Sequence, residues 1–198
     1  MKPVRVLGIA GSPRRSGNTD LLLAEVMRGA ASKGAETNTI VLNSLKITPC
    51  QHCDACLEAG NCRIKDDMQM VYDKLEKADV VVLASPIQFM GLSAQTKAMV
   101  DRCQCLWARK YVLKIPPLGS GPGRKKGFFI SVGGTKFTKL FDGALTVVKA
   151  LFNTLDITYA GELLFRGIDE KGAITGHPDA LEKAFRAGQK LVDDFAGE

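Results

Sequence analysis

The chain has 198 residues, 45% of them hydrophobic, and a formal net charge of +6. That length and apolar content suffice for one core, and no apolar run approaches the roughly 20 residues needed to cross a bilayer. The basic residues are scattered rather than interleaved with aromatics, which excludes a single-strand nucleic-acid platform, so neither nucleic acid nor membrane is expected as a partner.

Taken in chain order, Val4 to Ala10 is β-branched, apolar and bounded by Gly11-Ser12-Pro13, the pattern of a buried parallel strand. Arg5 inside this stretch and Pro13-Arg14-Arg15 after it argue against a signal peptide, so a cytoplasmic location is expected. A helix is predicted from Asn18-Thr19 to about Lys33, stopped by Gly34, followed by a second strand from Glu36 to Leu42. After the cysteine-bearing loop at 48–65, Asp66 and Gln69 stand in a capping-box relation, predicting a helix to about Lys77.

The third strand is expected over Val80 to Ser85, ending in Pro86, with a helix from Ser93 continuing past Trp107. A Pro/Gly-rich excursion over 106–126 follows, whose basic residues Arg109, Lys110, Lys114 and Arg124 to Lys126 read as a solvated or subunit-contacting patch. A fourth strand from Gly127 to Val132, a helix from Thr138 to Leu155, a strand from Thr158 to Leu164 and a helix from Pro178 to Phe195 complete the chain. Strands alternating with helices imply one domain over 1–198, a parallel sheet covered on both faces because right-handed crossovers place helices on each side.

Four cysteines fall within one short loop, Cys50-Gln-His-Cys53-Asp-Ala-Cys56-Leu-Glu-Ala-Gly-Asn-Cys62. The spacing suits a [4Fe-4S] cubane, because successive Cys-x-x-Cys turns offer three thiolates to one face and the arm through Gly60 and Asn61 brings the fourth. A tetrahedral zinc site, a reversible thiol pair and four reduced thiols remain open beside it. His52 reads as a solvent-facing spacer, and His52 and His177 are too few for a histidine-based site. Cys103 and Cys105 cannot point the same way on one helix and are read as core or interface thiols.

Ligands of such sheets sit at the carboxyl ends of the strands, and three strand ends here carry unusual loops. The first, Gly11 to Thr19, leads into a helix N-terminus and is expected to hold a phosphate through backbone N–H groups and Ser12, Arg14, Ser16, Gly17, Asn18 and Thr19. It is neither a P-loop nor a Gly-x-Gly-x-x-Gly turn, which argues against nucleotide hydrolysis. The second, Ser85 to Gly91, is expected to place Pro86, Ile87, Gln88, Phe89, Met90 and Gly91 against a flat heteroaromatic ring. The third, Ser131 to Thr135, offers Gly133-Gly134 for close backbone approach.

Gly11-Ser-Pro-Arg-x-x-Gly-Asn-Thr19, Ser85-Pro-Ile-x-Phe89 and Ser93-Ala-x-x-Lys-Ala-x-x-Asp-Arg102 together resemble the flavodoxin-like NAD(P)H-dependent FMN reductases, and the cysteine motif makes the chain similar to their iron-sulfur flavoprotein branch. The resemblance implies an α/β, doubly wound five-stranded sheet of order 2-1-3-4-5, FMN with its phosphate on the first loop and its ring against the second and third, and a homodimer or homotetramer. Gln88 stands where these proteins often have Tyr, and Trp107 falls in the stretch that departs most from the pattern. The implied function passes electrons from a ferredoxin-like donor through a [4Fe-4S] cluster held by Cys50, Cys53, Cys56 and Cys62 to FMN. From FMN they go to dioxygen, peroxide or a quinone, with no side chain required as acid or base. Two alternatives stand beside it: an NAD(P)H-dependent FMN or quinone reductase without a cluster, and a non-enzymatic thiol or metal sensor.

Overall fold

The computed structural model of the chain describes residues 2–119 and 124–197. Five strands build one parallel sheet: β1 (Arg5–Ala10), β2 (Glu36–Val41), β3 (Val80–Ala84), β4 (Lys125–Gly133) and β5 (Ile157–Arg166), in the order β2-β1-β3-β4-β5. Register runs Val6 to Thr37 and Val80, then Val80 to Lys126, and Lys126 to Thr158. β3 is buried at every position, as a central strand covered on both faces must be, whereas edge strand β2 buries only Ile40. Between Gly127 and Phe128 the pairing with β5 slips by one residue, a bulge with Gly161 at φ 126°.

Helices cover both faces. α1 (Asn18–Ser32) and α7 (Ala180–Ala196) pack on one side through Leu22, Val26, Ala30, Ala184 and Leu191. They approach backbone to backbone, since a Cβ on Gly188 would sit 1.9 Å from the Val26 carbonyl oxygen and one on Gly29 1.9 Å from that of Phe185. α3 (Met68–Lys77), α4 (Ala94–Arg102) and α6 (Asp142–Thr154) cover the other side with Val71, Leu75, Met99, Val148 and Phe152.

Several boundaries differ from expectation for physical reasons. The capping box at Asp66 does not form: its carboxylate receives the Thr48 and Met68 N–H groups and pairs with Arg102, and the helix starts at Met68. The long helix expected from Ser93 is interrupted at Cys103; α4 is followed by α5 (Gln104–Trp107) and a π-helical turn over Ala108–Val112. Cys103, at that interruption, and Cys105, just after it, are both buried. Short α2 (Ala55–Ala59) forms inside the cysteine loop.

The basic patch is also reassigned. Lys125 and Lys126 open β4 rather than lie in a loop: Lys125 Nζ donates to the carbonyls of Leu75, Glu76 and Ala78 at the C-terminus of α3, and Lys126 Nζ to that of Asp194 in α7. Cations at the negative ends of helices are favourable there. Arg109 and Lys110 are likewise engaged, with Gly60 and Asp156. Part of the Pro/Gly-rich excursion, 120–123, lies outside the described residues.

Candidate functional site

At the carboxyl edge of the sheet the three strand-end loops meet around a cavity of about 210 Å³. Ser12, Arg14, Gly17, Asn18 and Thr19 come from the first loop, Pro86, Ile87 and Gln88 from the second, and Val132, Gly133 and Gly134 from the end of β4. Ile168, Asp169 and Lys171, which follow β5, close the remaining wall; sequence reasoning did not assign them. Nothing local marks those three, because their place depends on β5 lying beside β4.

The first loop is built for an anion. α1 begins after Gly17 with no side-chain cap, so first-turn N–H groups remain without a side-chain acceptor where the cavity begins. Arg14 and Lys171 add positive charge, and Thr19, buried at 2% exposure, lines the same wall. Other expected donors are spent within the protein. The Ser12 hydroxyl donates to the Arg14 carbonyl at 2.9 Å and accepts the Arg14 N–H at 3.1 Å, closing the turn. Asn18 donates through Nδ2 to the Glu170 carbonyl at 2.9 Å and accepts the Ile174 N–H at 3.2 Å, so it ties α1 to the opposite wall. Ser16 adopts φ 54° and faces a different cavity, beside Arg15, Asp20 and Thr39. The Asp20 carboxyl is pushed up by burial.

The second loop folds into a two-residue hairpin pairing Ile87 with Leu92 and Gln88 with Gly91. Phe89 and Met90 occupy its turn, both at positive φ, 47° and 64°, the backbone of a type I′ turn. Phe89 therefore points away from the cavity it was expected to line and is fully exposed. Beneath the hairpin a buried hydroxyl network fixes its root: Ser131 Oγ donates to the Ser85 carbonyl at 2.7 Å, the Ser93 N–H to Ser85 Oγ at 3.1 Å, and Ser93 Oγ to the Gly11 carbonyl. Ser131 thus links β4 to the β3 exit and has no free hydroxyl for a ligand. Gly133 and Gly134 line the cavity, but the side they leave bare faces protein: a Cβ there would sit 2.7 Å from Leu140 Cδ2 and 3.0 Å from Asp169 Cβ. An uncapped helix end with two cations, beside a slot walled by Pro86, Ile87, Val132 and Ile168, fits a phosphate joined to a flat ring.

The four loop cysteines are free thiols: Cys53 is exposed and Cys50, Cys56 and Cys62 are half-buried. Four thiols in one loop suit iron chemistry, yet among the described residues no three His, Cys, Asp or Glu side chains are placed to hold a metal ion, so the sulfurs form no ready-made ligand shell. His52 and Asp54 flank Cys53 at φ 49° and 56°. Cys50 and His52 line a second cavity of about 510 Å³ with Lys97, Asp101, Trp107 and Ala150, which shares no residue with the strand-end cavity. Burial pushes the Cys56 thiol up, and that of Cys105 nearby.

Comparison with known proteins agrees with this geometry. Residues 4–160 match the family described as NADPH-dependent FMN reductase. An iron-sulfur flavoprotein of Archaeoglobus fulgidus is 45% identical over 106 residues, 54% of this chain and 54% of that protein. The chain spans about half the length of the first curated relatives it matches. Among solved structures, an NAD(P)H:quinone oxidoreductase from Methanothermobacter marburgensis superposes with a TM-score of 0.72 at 16% identity, covering 96% of this chain and 98% of that one. A flavodoxin from the domain Archaea gives 0.58 at 15%, covering 98% and 99%. At such identities these two structures speak for the flavodoxin-like fold alone. No helix among the described residues is long and apolar enough to cross a membrane.

Proposed function

The chain belongs to the NADPH-dependent FMN reductase family, and from that premise we propose that it is an FMN-dependent oxidoreductase, taking electrons from an external donor and delivering them to a small acceptor such as dioxygen, peroxide or a quinone. The observation that carries this reading is the convergence of loops 11–19, 85–91 and 131–135 on one cavity at an uncapped helix N-terminus. FMN, when bound, supplies the chemistry, since its ring exchanges one or two electrons. The chain's own residues bind and orient. First-turn amides of α1, Arg14 and Lys171 would hold the phosphate, with Thr19 in the same wall. Pro86, Ile87 and Gln88, the backbone of Gly133 and Gly134, and apolar Val132 and Ile168 would line the place of the ring. Asn18, Ser12 and Ser131 act one step back, fixing the walls that make these contacts. Two copies of the chain, or four, assemble in this reading.

Cys50, Cys53, Cys56 and Cys62 are the residues that would hold a [4Fe-4S] cluster, which supplies one-electron storage for a ferredoxin-like donor. Two observations support this: four unpaired thiols in one loop, and curated relatives named iron-sulfur flavoproteins. The match of residues 4–160 to a family described as NADPH-dependent FMN reductase favours a second reading, direct reduction of FMN by NAD(P)H with the thiol loop unmetallated. Anaerobic purification followed by iron, sulfide and flavin analysis, then stopped-flow mixing with NADPH, decides between them. Bound iron and sulfide with a flavin that ignores NADPH support the cluster route. Rapid bleaching without iron supports the second reading, and absence of bound FMN refutes both.

A further inference from the structure

One buried side chain closes the neck of the cysteine loop. Arg102, at the end of α4 and 1% exposed, donates through Nη1 to the Thr48 carbonyl at 2.7 Å and through Nη2 to the Ile64 carbonyl at 3.2 Å. Thr48 lies just before Cys50 and Ile64 just after Cys62, so a single guanidinium grips both ends of the loop. The same two nitrogens fork onto Asp66, at 2.7 and 3.1 Å. Asp66 in turn receives the Thr48 N–H at 2.8 Å and the Met68 N–H at 3.1 Å, so the carboxylate reinforces the grip. Tyr72 Oη donates to the Arg102 carbonyl at 2.6 Å and fixes the backbone from which the guanidinium reaches.

The remaining donor of the fork is unspent. Arg102 Nε is buried and has no hydrogen-bond partner. An orphaned N–H on a buried cation is costly, so the guanidinium is kept here by its other bonds, to Thr48, Ile64 and Asp66. Further along the same segment Arg109 adds a second tie, donating through Nε to the Gly60 carbonyl at 2.7 Å and through Nη2 to Asn61 Oδ1 at 2.5 Å, immediately before Cys62. A fold-stabilising ion pair needs only Asp66; two loop-end carbonyls go beyond that.

We infer that Arg102 is the positioning residue of the cysteine loop: its guanidinium closes the neck between Thr48 and Ile64 and so holds together the two ends of the segment that carries Cys50 to Cys62. The grip itself is independent of any metal, and its consequence for iron binding rests on the cluster reading above. Outer groups that orient metal ligands typically carry about 10–100-fold in metal affinity.

The test uses two variants of the full chain. Arg102→Lys keeps a charge for Asp66 but cannot span both carbonyls. Arg102→Met with Asp66→Leu removes the pair as a unit, a replacement that buried ion pairs often tolerate without loss of fold. Anaerobic iodoacetamide labelling, resolved cysteine by cysteine, is followed in protein without added iron, with buried Cys103 reporting global opening and flavin content reporting the FMN site. Iron and sulfide uptake are then titrated.

In both variants Cys62 labelling is expected to rise several-fold while Cys103 stays protected and flavin content is unchanged, and iron affinity to fall by about 10–100-fold. Wild-type labelling and wild-type iron uptake in both variants overturn the inference, as does a parallel rise at Cys103, which would make the pair merely structural. Should Arg102→Lys lose its fold, the double variant decides by the same readouts. If the wild-type chain takes up no iron, the cluster reading fails and the labelling ratio still decides the role of Arg102.

Discussion

Asn18 stands in the phosphate loop by sequence, yet its carboxamide joins α1 to the 169–174 wall, and Asn18→Ala tests which role dominates. Ile174 is fully buried, so truncation leaves its N–H without an acceptor, at about 1–3 kcal/mol, and removes a more exposed bond to the Glu170 carbonyl worth about 0.5 kcal/mol. The sum, about 1.5–3.5 kcal/mol, corresponds to a fall of about 3–14 °C in the melting temperature of the FMN-free protein for a chain of this size. FMN affinity drops with it, because the wall carrying Lys171 loosens. Asn18→Asp retains the acceptor for Ile174 and places a negative charge at the start of α1, so most of the stability returns. That same charge faces the phosphate and weakens FMN binding further. The two variants therefore rank oppositely, Asp above Ala in thermal denaturation by circular dichroism, Ala above Asp in titration by flavin fluorescence quenching. A wild-type melt for Asn18→Ala combined with a tenfold or greater loss of FMN affinity would refute this account and make Asn18 a direct phosphate ligand.

Lys171→Gln is expected to weaken FMN binding a few-fold at low ionic strength and less at high salt, since the cation acts from an exposed position; equal loss at both would contradict an electrostatic role. The Asp79 carboxylate, hydrogen-bonded to the Arg5 guanidinium and N–H, is held below its ordinary value of 3.8 despite the opposing effect of burial. A depressed carboxylate contributes stability that is fully present above that ordinary value and is lost as pH falls through the folded one, so urea midpoints should decline below about pH 4. Asp79→Asn should flatten that decline, and an unchanged acid slope would speak against the pair. Gly188→Ala, whose Cβ would meet the Val26 carbonyl at 1.9 Å, should destabilise by about 1–3 kcal/mol in denaturant titration even though alanine favours helix by about 1 kcal/mol.

Local sequence patterns were enough to read the parallel sheet and to expect its ligand at the strand ends. β-branched runs ending in Gly or Pro marked the strands, alternation with helices made them parallel, and parallel strands place ligands at their carboxyl ends. Short-range patterns also located the cysteine loop, because cysteine spacing is read along the chain. What the sequence left open is what each polar side chain does once folded, since hydrogen-bond partners far apart in sequence compete for it. Asn18 read as a ligand donor, but tertiary contacts with Glu170 and Ile174 claim its carboxamide, and Ser131, expected in a cofactor-binding loop, is tied to Ser85. Phe89 read as a ring neighbour until a left-handed hairpin turn sent it outward. Lys171 and Ile168 became cavity walls only because β5 pairs with β4. Arg102 entered the sequence reading only as the end of the Ser93 to Arg102 motif, and only tertiary structure, with Thr48 and Ile64 brought to one guanidinium, gave it a role.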